Sequence, residues 1–154
     1  MNVAELSRID RTIEIDAPPD RVWRALTNAD ELSAWLQVSI EGDIAPGSEV
    51  WMTSVHPEHA GQRFRVRFTE MTAPRRFVWE WHPGAVDPSV DYGSEPRTTV
   101  TFTLEPSERG TRLSVSETGF DAVSLARRAK VYSDNSQGWL TVLVWLKTYV
   151  ETAR

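Results

Sequence analysis

Glu117, in the stretch "SETGF", is the residue whose type and placement come nearest to chemistry. It continues the alternation of Leu113 and Val115, so it points to the face of its strand that those apolar residues mark as inward. A carboxylate there would be partly desolvated, as a general base or a ligand anchor requires. The plainer alternative is a rim carboxylate paired to an arginine or capping the next turn. A second group is "RFVWEWHPG", where Phe77, Trp79 and Trp81 occupy every other position and would line one side of a sheet with rings. With Phe102, Trp139, Leu143 and Tyr149 they would form facing walls of sheet and helix, either interlocked as core or lining a cavity for a flat hydrophobic ligand. Trp35 and Trp51 are further wall candidates.

Other clusters carry less. "HPEH" offers His56, Glu58 and His59, but Pro57 leaves no helix to align them, so no metal is expected. Arg63, Arg65 and Arg67 alternate on an outward face, with Glu80 and His82 on the outward parity of the next strand. Cross-strand ion pairs explain that pattern, an acidic protein partner being the alternative. No Ser/His/Asp set, glycine-rich phosphate loop or DxD cluster occurs, and no cofactor is implied.

Composition narrows the field further. A chain of 154 residues fits one domain, spanning 1–154, and seven tryptophans are several times the usual share. With no cysteine, disulfides and thiolate chemistry are out, which fits a reducing cytoplasm. "MNVAELSRIDRT" has no apolar leader and no window approaches a membrane span, so a cytoplasmic protein is expected. A net charge of −5 would repel phosphate backbones, which argues against nucleic acid.

The elements that would position these residues follow from periodicity. "RIDRTIEID" alternates as a first strand; "APPDRVWRALTN" breaks at Pro18 and Pro19 into a helix; Asn28 followed by Glu31 opens a second short helix. From Val38 to Glu117 six period-two runs predict strands joined by hairpins, with Gly110 supplying a positive φ in "EPSERG". Residues 82–96, rich in Pro and Gly, are long enough for a lid or binding loop. "FDAVSLARRAKVYSDNSQG" reads as a short helix and an irregular turn. "GWLTVLVWLKTYVETAR" reads as a long amphipathic helix across the sheet. Trp145 leaves that helix's apolar stripe, so it needs a cover: the C-terminal segment, the 82–96 loop, or a second copy in a homodimer.

This order, with "RVWRALTNADELSAWL", "RFVWEW", "TTVTFTLEPSERGTRLSVSETGF" and "GWLTVLVWLKTYVE", resembles the SRPBCC (START-like) superfamily and, within it, the group related to the activator of Hsp90 ATPase. The resemblance runs from about Arg11 to Glu151. It implies an α+β helix-grip fold: a curved seven-stranded antiparallel sheet around a long C-terminal helix, with two short helices after the first strand and a cavity between sheet and helix. The family pattern often places a polar residue at the cavity near the position of Glu117. The resemblance implies three functions: a binder of a hydrophobic, aromatic or polycyclic small molecule, a cyclase or hydrolase-like enzyme using Glu117, or a chaperone-associated module.

Overall fold

The computed structural model describes residues 7–84, 92 and 95–152. Strand β1 (Arg8–Ile15) leads into helices α1 (Pro19–Thr27) and α2 (Ala29–Leu36), then β2 (Val38–Glu41), β3 (Glu49–Ser54), β4 (Arg63–Thr72), β5 (Arg76–Trp81), β6 (Thr98–Ser107) and β7 (Gly110–Thr118), and finally α3 (Leu125–Thr152). The seven strands form one antiparallel sheet in the order β1-β7-β6-β5-β4-β3-β2. The expected α+β helix-grip architecture is what the chain adopts: α3 packs on the sheet with α1 and α2 beside it.

Local rules explain the elements. In β6 from Thr98 to Leu104 and in β7 from Thr111 to Glu117 every second residue is buried, so one face of each strand is committed to the core. The Asn28 side chain accepts a hydrogen bond from the Glu31 N–H at 3.1 Å, capping α2, while the Glu31 carboxylate is drawn elsewhere instead of returning the bond. Gly110 has φ 137°, and a Cβ there would lie 2.6 Å from the Ala17 carbonyl oxygen, so the turn tolerates no side chain.

One expectation is corrected. The stretch read as a short helix and an irregular turn opens with a single 3-10 turn at Phe120–Ala122, but from Leu125 on it is continuous with the C-terminal helix, giving a single 28-residue α3. Gly138 lies inside it facing open space, a penalty of about 1 kcal/mol. Burial of Val131, Trp139, Leu143, Leu146 and Val150 along one side outweighs that cost.

Candidate functional site

Glu117 stands near the end of β7, opposite Val100 of β6 and Ile9 of β1. One step along β6 on the same face comes Thr98, whose cross-strand partner is Trp81 at the end of β5. Three adjacent strands therefore deliver a carboxylate, a hydroxyl and an indole to one corner of the sheet. Helix α3 adds Asn135 and, one turn later, Trp139, on the face turned toward that corner.

The carboxylate is fully buried, as are Thr98 and, to within a few per cent, Trp139. Oε2 accepts hydrogen bonds from the Trp81 indole at 2.8 Å and the Thr98 hydroxyl at 2.6 Å. Oε1 accepts from the Trp139 indole at 2.9 Å and the Asn135 amide at 3.0 Å. Four neutral donors thus fill the acceptor sites of the carboxylate, and no ion pair among the described residues includes Glu117. One indole comes from the sheet and the other from the helix, so the carboxylate joins the two walls.

Around it the rings touch. Centroids of Trp79 and Trp81 lie 5.4 Å apart, those of Trp81 and Trp139 6.0 Å, and those of Phe102 and Trp139 5.7 Å. Trp79 packs edge-on against Phe102 at 5.1 Å, within the range of favourable aromatic pairs. Among the described residues, rings pack against rings in the gap under α3, the interlocked one of the two arrangements the sequence allowed. Two surface hollows among the described residues lie elsewhere, around Pro18 and Arg24 and around Pro106 and Arg112. Trp81 is only half-buried, whereas Trp79 is 1% exposed and its indole N–H finds no acceptor among the described residues. A buried donor without a partner costs about 1–3 kcal/mol, so its persistence calls for a reason.

The remaining expected wall residues disperse. Leu143 is buried in the same core, one turn beyond Trp139. Tyr149, two turns further, donates its hydroxyl to Glu31 of α2 at 3.0 Å. Trp35 is buried beneath α1 and donates to the Ala25 carbonyl at 2.7 Å. Trp51 lies on the other face of the sheet, under the guanidinium groups of Arg63 at 4.2 Å and Arg65 at 4.5 Å, and does not join the cluster. Those arginines also pair with Glu41 and Glu49 on that face, as cross-strand pairing implies.

Two residues of the cluster escaped sequence reasoning. Thr98 extends the inward parity of Val100 and Phe102 by one step, and Asn135 lies four positions before Trp139. Both signals were present; the second required recognising that the helix continues through Gly138.

Most of the 82–96 segment falls outside the described residues. Its described ends are fastened to the start of α3: Arg127 pairs with Glu95 at 2.7 Å, donates to the Pro83 carbonyl and lies over the Tyr92 ring. The His82 ring bonds the Glu95 carbonyl oxygen at 3.0 Å. Burial holds the His82 imidazole below its ordinary range, with that carbonyl acting in the opposite sense. Trp145 is stacked upon by His56 of the β3–β4 turn, at 5.2 Å between centroids and 19°.

A family model described as "Activator of Hsp90 ATPase homolog 1-like protein" matches residues 16–151. The chain belongs to that family. Among solved structures, MLL2253 from Mesorhizobium loti is similar at TM-score 0.76 and 22% identity, covering 96% of this chain and 98% of its own. The Aha1 dimer from Colwellia psychrerythraea is similar at TM-score 0.69 and 22% identity, covering 96% and 98%. DynU16, from the dynemicin biosynthetic locus, is similar at TM-score 0.74 and 19% identity over 96% of this chain and 48% of its own. At these identities the likeness is one of fold. No curated protein sequence matches. No described helix is long and apolar enough to cross a membrane.

Proposed function

We propose that this member of the Activator of Hsp90 ATPase homolog 1-like family binds a flat, hydrophobic small molecule carrying a hydrogen-bond acceptor, such as a polycyclic aromatic ketone, at the ring cluster beside Glu117. The observation that carries the reading is the buried Trp79 N–H with no acceptor among the described residues, set among five rings and next to a carboxylate already saturated with donors. A ligand carbonyl would satisfy that N–H, and its ring system would replace part of the present ring-to-ring contact. Trp81, the half-buried member, marks the side from which the ligand would enter, its indole staying bonded to Glu117. Glu117 then acts as a positioning group holding Trp81 and Trp139 in register, not as a base. All its acceptor sites are engaged, and a base must offer a free lone pair to the proton it takes. That weighs against the cyclase or hydrolase alternative. The dimeric state of one relative comes with a likeness of fold alone, and the chaperone link with the family's description; neither adds a contact here.

The test is a titration of intrinsic tryptophan fluorescence with a polycyclic aromatic ketone and with its parent hydrocarbon. Saturable quenching favouring the ketone at least about tenfold is expected, one good hydrogen bond being worth roughly 1.4 kcal/mol. Trp79→Phe should erase the preference while keeping hydrocarbon binding. If neither compound quenches saturably, and native mass spectrometry of freshly purified protein finds no retained ligand mass, the reading is wrong.

A further inference from the structure

The β3–β4 turn carries a second constellation, remote in kind from the ring cluster. One donor atom each from His56, Glu58 and His59 lies within 4.8 Å of the other two. The sequence supplies no helix here, yet the turn itself does the aligning. The His59 N–H bonds the His56 carbonyl at 2.9 Å, the Gln62 N–H bonds the His59 carbonyl at 3.0 Å, and the Ser54 N–H bonds the Gln62 carbonyl at 2.8 Å. The backbone is thus closed on itself on either side of the three ligands. The His56 ring is further fixed by its stack on Trp145, which anchors the turn to α3. The two imidazoles are 5.8 Å apart between centroids and tilted by 31°.

We infer that this turn binds one divalent transition-metal ion of the zinc or nickel class through the imidazoles of His56 and His59 and the carboxylate of Glu58. Two nitrogens and one oxygen suit such borderline ions better than calcium or magnesium, which prefer all-oxygen sites. Bond lengths of about 2.0–2.2 Å require the donor atoms to close in by roughly an ångström. Glu58 and His59 are exposed and can do so by rotation about their side-chain bonds. His56 Nδ1 now accepts a long hydrogen bond of 3.2 Å from the Glu58 N–H; that bond is the one contact the ion displaces or forces to change tautomer. Three protein ligands leave further positions for water, and the ion would hold the turn in the pose in which it covers Trp145.

The experiment uses the untagged full chain, since an affinity tag of histidines would mask the site. Calorimetric titration with zinc should saturate at one ion per chain. Nickel should quench part of the tryptophan fluorescence, and Trp145→Phe should remove that quenching while leaving the zinc stoichiometry at one. His59→Ala, a change at an exposed side chain, should weaken zinc binding by more than about tenfold, with His56→Ala at least as damaging. His82→Ala, which removes the chain's third histidine, should leave binding unchanged. Absence of a saturable signal at one ion per chain, an unaltered affinity in His59→Ala, or loss of binding in His82→Ala would each overturn the inference.

Discussion

Glu117 and Glu31 both tie α3 to the rest of the fold, the first near the middle of the helix and the second near its end, and their partners could hardly differ more. Glu31 is met by Arg21 at 2.7 Å, Arg24 at 2.8 Å and the Tyr149 hydroxyl at 3.0 Å, with its side chain 16% exposed. Glu117 is wholly buried and is met only by indoles, a hydroxyl and an amide. A carboxylate among arginines at a partly wet margin is a fastener: its charge is compensated and any of several neighbours can be lost cheaply. A carboxylate buried without a cation forfeits several kcal/mol of hydration, and only a full set of hydrogen bonds makes that bearable. The contrast marks the Glu117 corner as the place where the fold accepts an expensive group, which is where functional sites tend to be found.

The most severe break in that comparison is Glu117→Gln. The amide that replaces one oxygen is itself a donor, so it faces donors, and at least one buried N–H or O–H is orphaned. Unfolding by urea should show a loss of roughly 2–4 kcal/mol with an unchanged denaturant slope. Glu31→Gln, where partners remain within reach of water, should lose no more than about 1 kcal/mol. Equal losses at the two sites would dissolve the distinction.

A finer cut separates two neighbouring tryptophans of similar burial. Trp139→Phe removes volume and a donor that Glu117 uses; Trp79→Phe removes volume and a donor that nothing in the described protein accepts. The volume losses being alike, Trp139→Phe should be the more destabilising by about 1–2 kcal/mol in the same urea experiment. If Trp79→Phe proves the worse of the two, its N–H has a partner in the protein and the argument for a ligand acceptor there fails.

How far this corner could be read from sequence depends on which physical rule governed each residue. Glu117, Trp79, Trp81 and Phe102 were legible because a strand sends every second side chain to one face, which holds even in β5, where Val78 between Phe77 and Trp79 is buried as well; the same rule would have reached Thr98 with one more step. Asn135 was not, because Ser133, Asp134, Asn135, Ser136 and Gly138 each favour turns over helix in isolation, and only the packing of Val131 and Trp139 on either side keeps them helical. Long-range covers were beyond reach as well. Nothing local in "HPEH" says that its first ring will lie on Trp145, 89 positions later, nor that Trp51 will face arginines when its neighbours Val50 and Met52 are core. Trp51 shows the limit of counting aromatics: parity against its own strand already placed it outside, and the abundance of tryptophan argued for the wall.

The smallest effect, and the one that tests the fastener reading most directly, is titration. Burial pulls the Glu31 carboxyl upward, but the Tyr149 hydroxyl, then Arg24 and Arg21, outweigh it, so the group sits below its ordinary 4.5 in the folded protein. A carboxyl whose folded value lies under its unfolded one contributes stability that is complete above pH 4.5 and drains away as pH falls through the folded value. Other lowered carboxyls, Glu14, Glu95 and Glu151 among them, add to the acid loss of the whole protein, so the difference between the natural chain and Glu31→Gln is the quantity to follow. That difference should be constant from pH 7 to pH 5 and shrink below pH 4.5. It should also shrink in about 1 M salt, where the screening length falls to roughly 3 Å. The Glu117→Gln difference, resting on neutral donors in a buried site, should not respond to salt. Were salt to reduce both alike, an unrecognised cation would have to stand near Glu117, and the corner would be a second fastener and not a site.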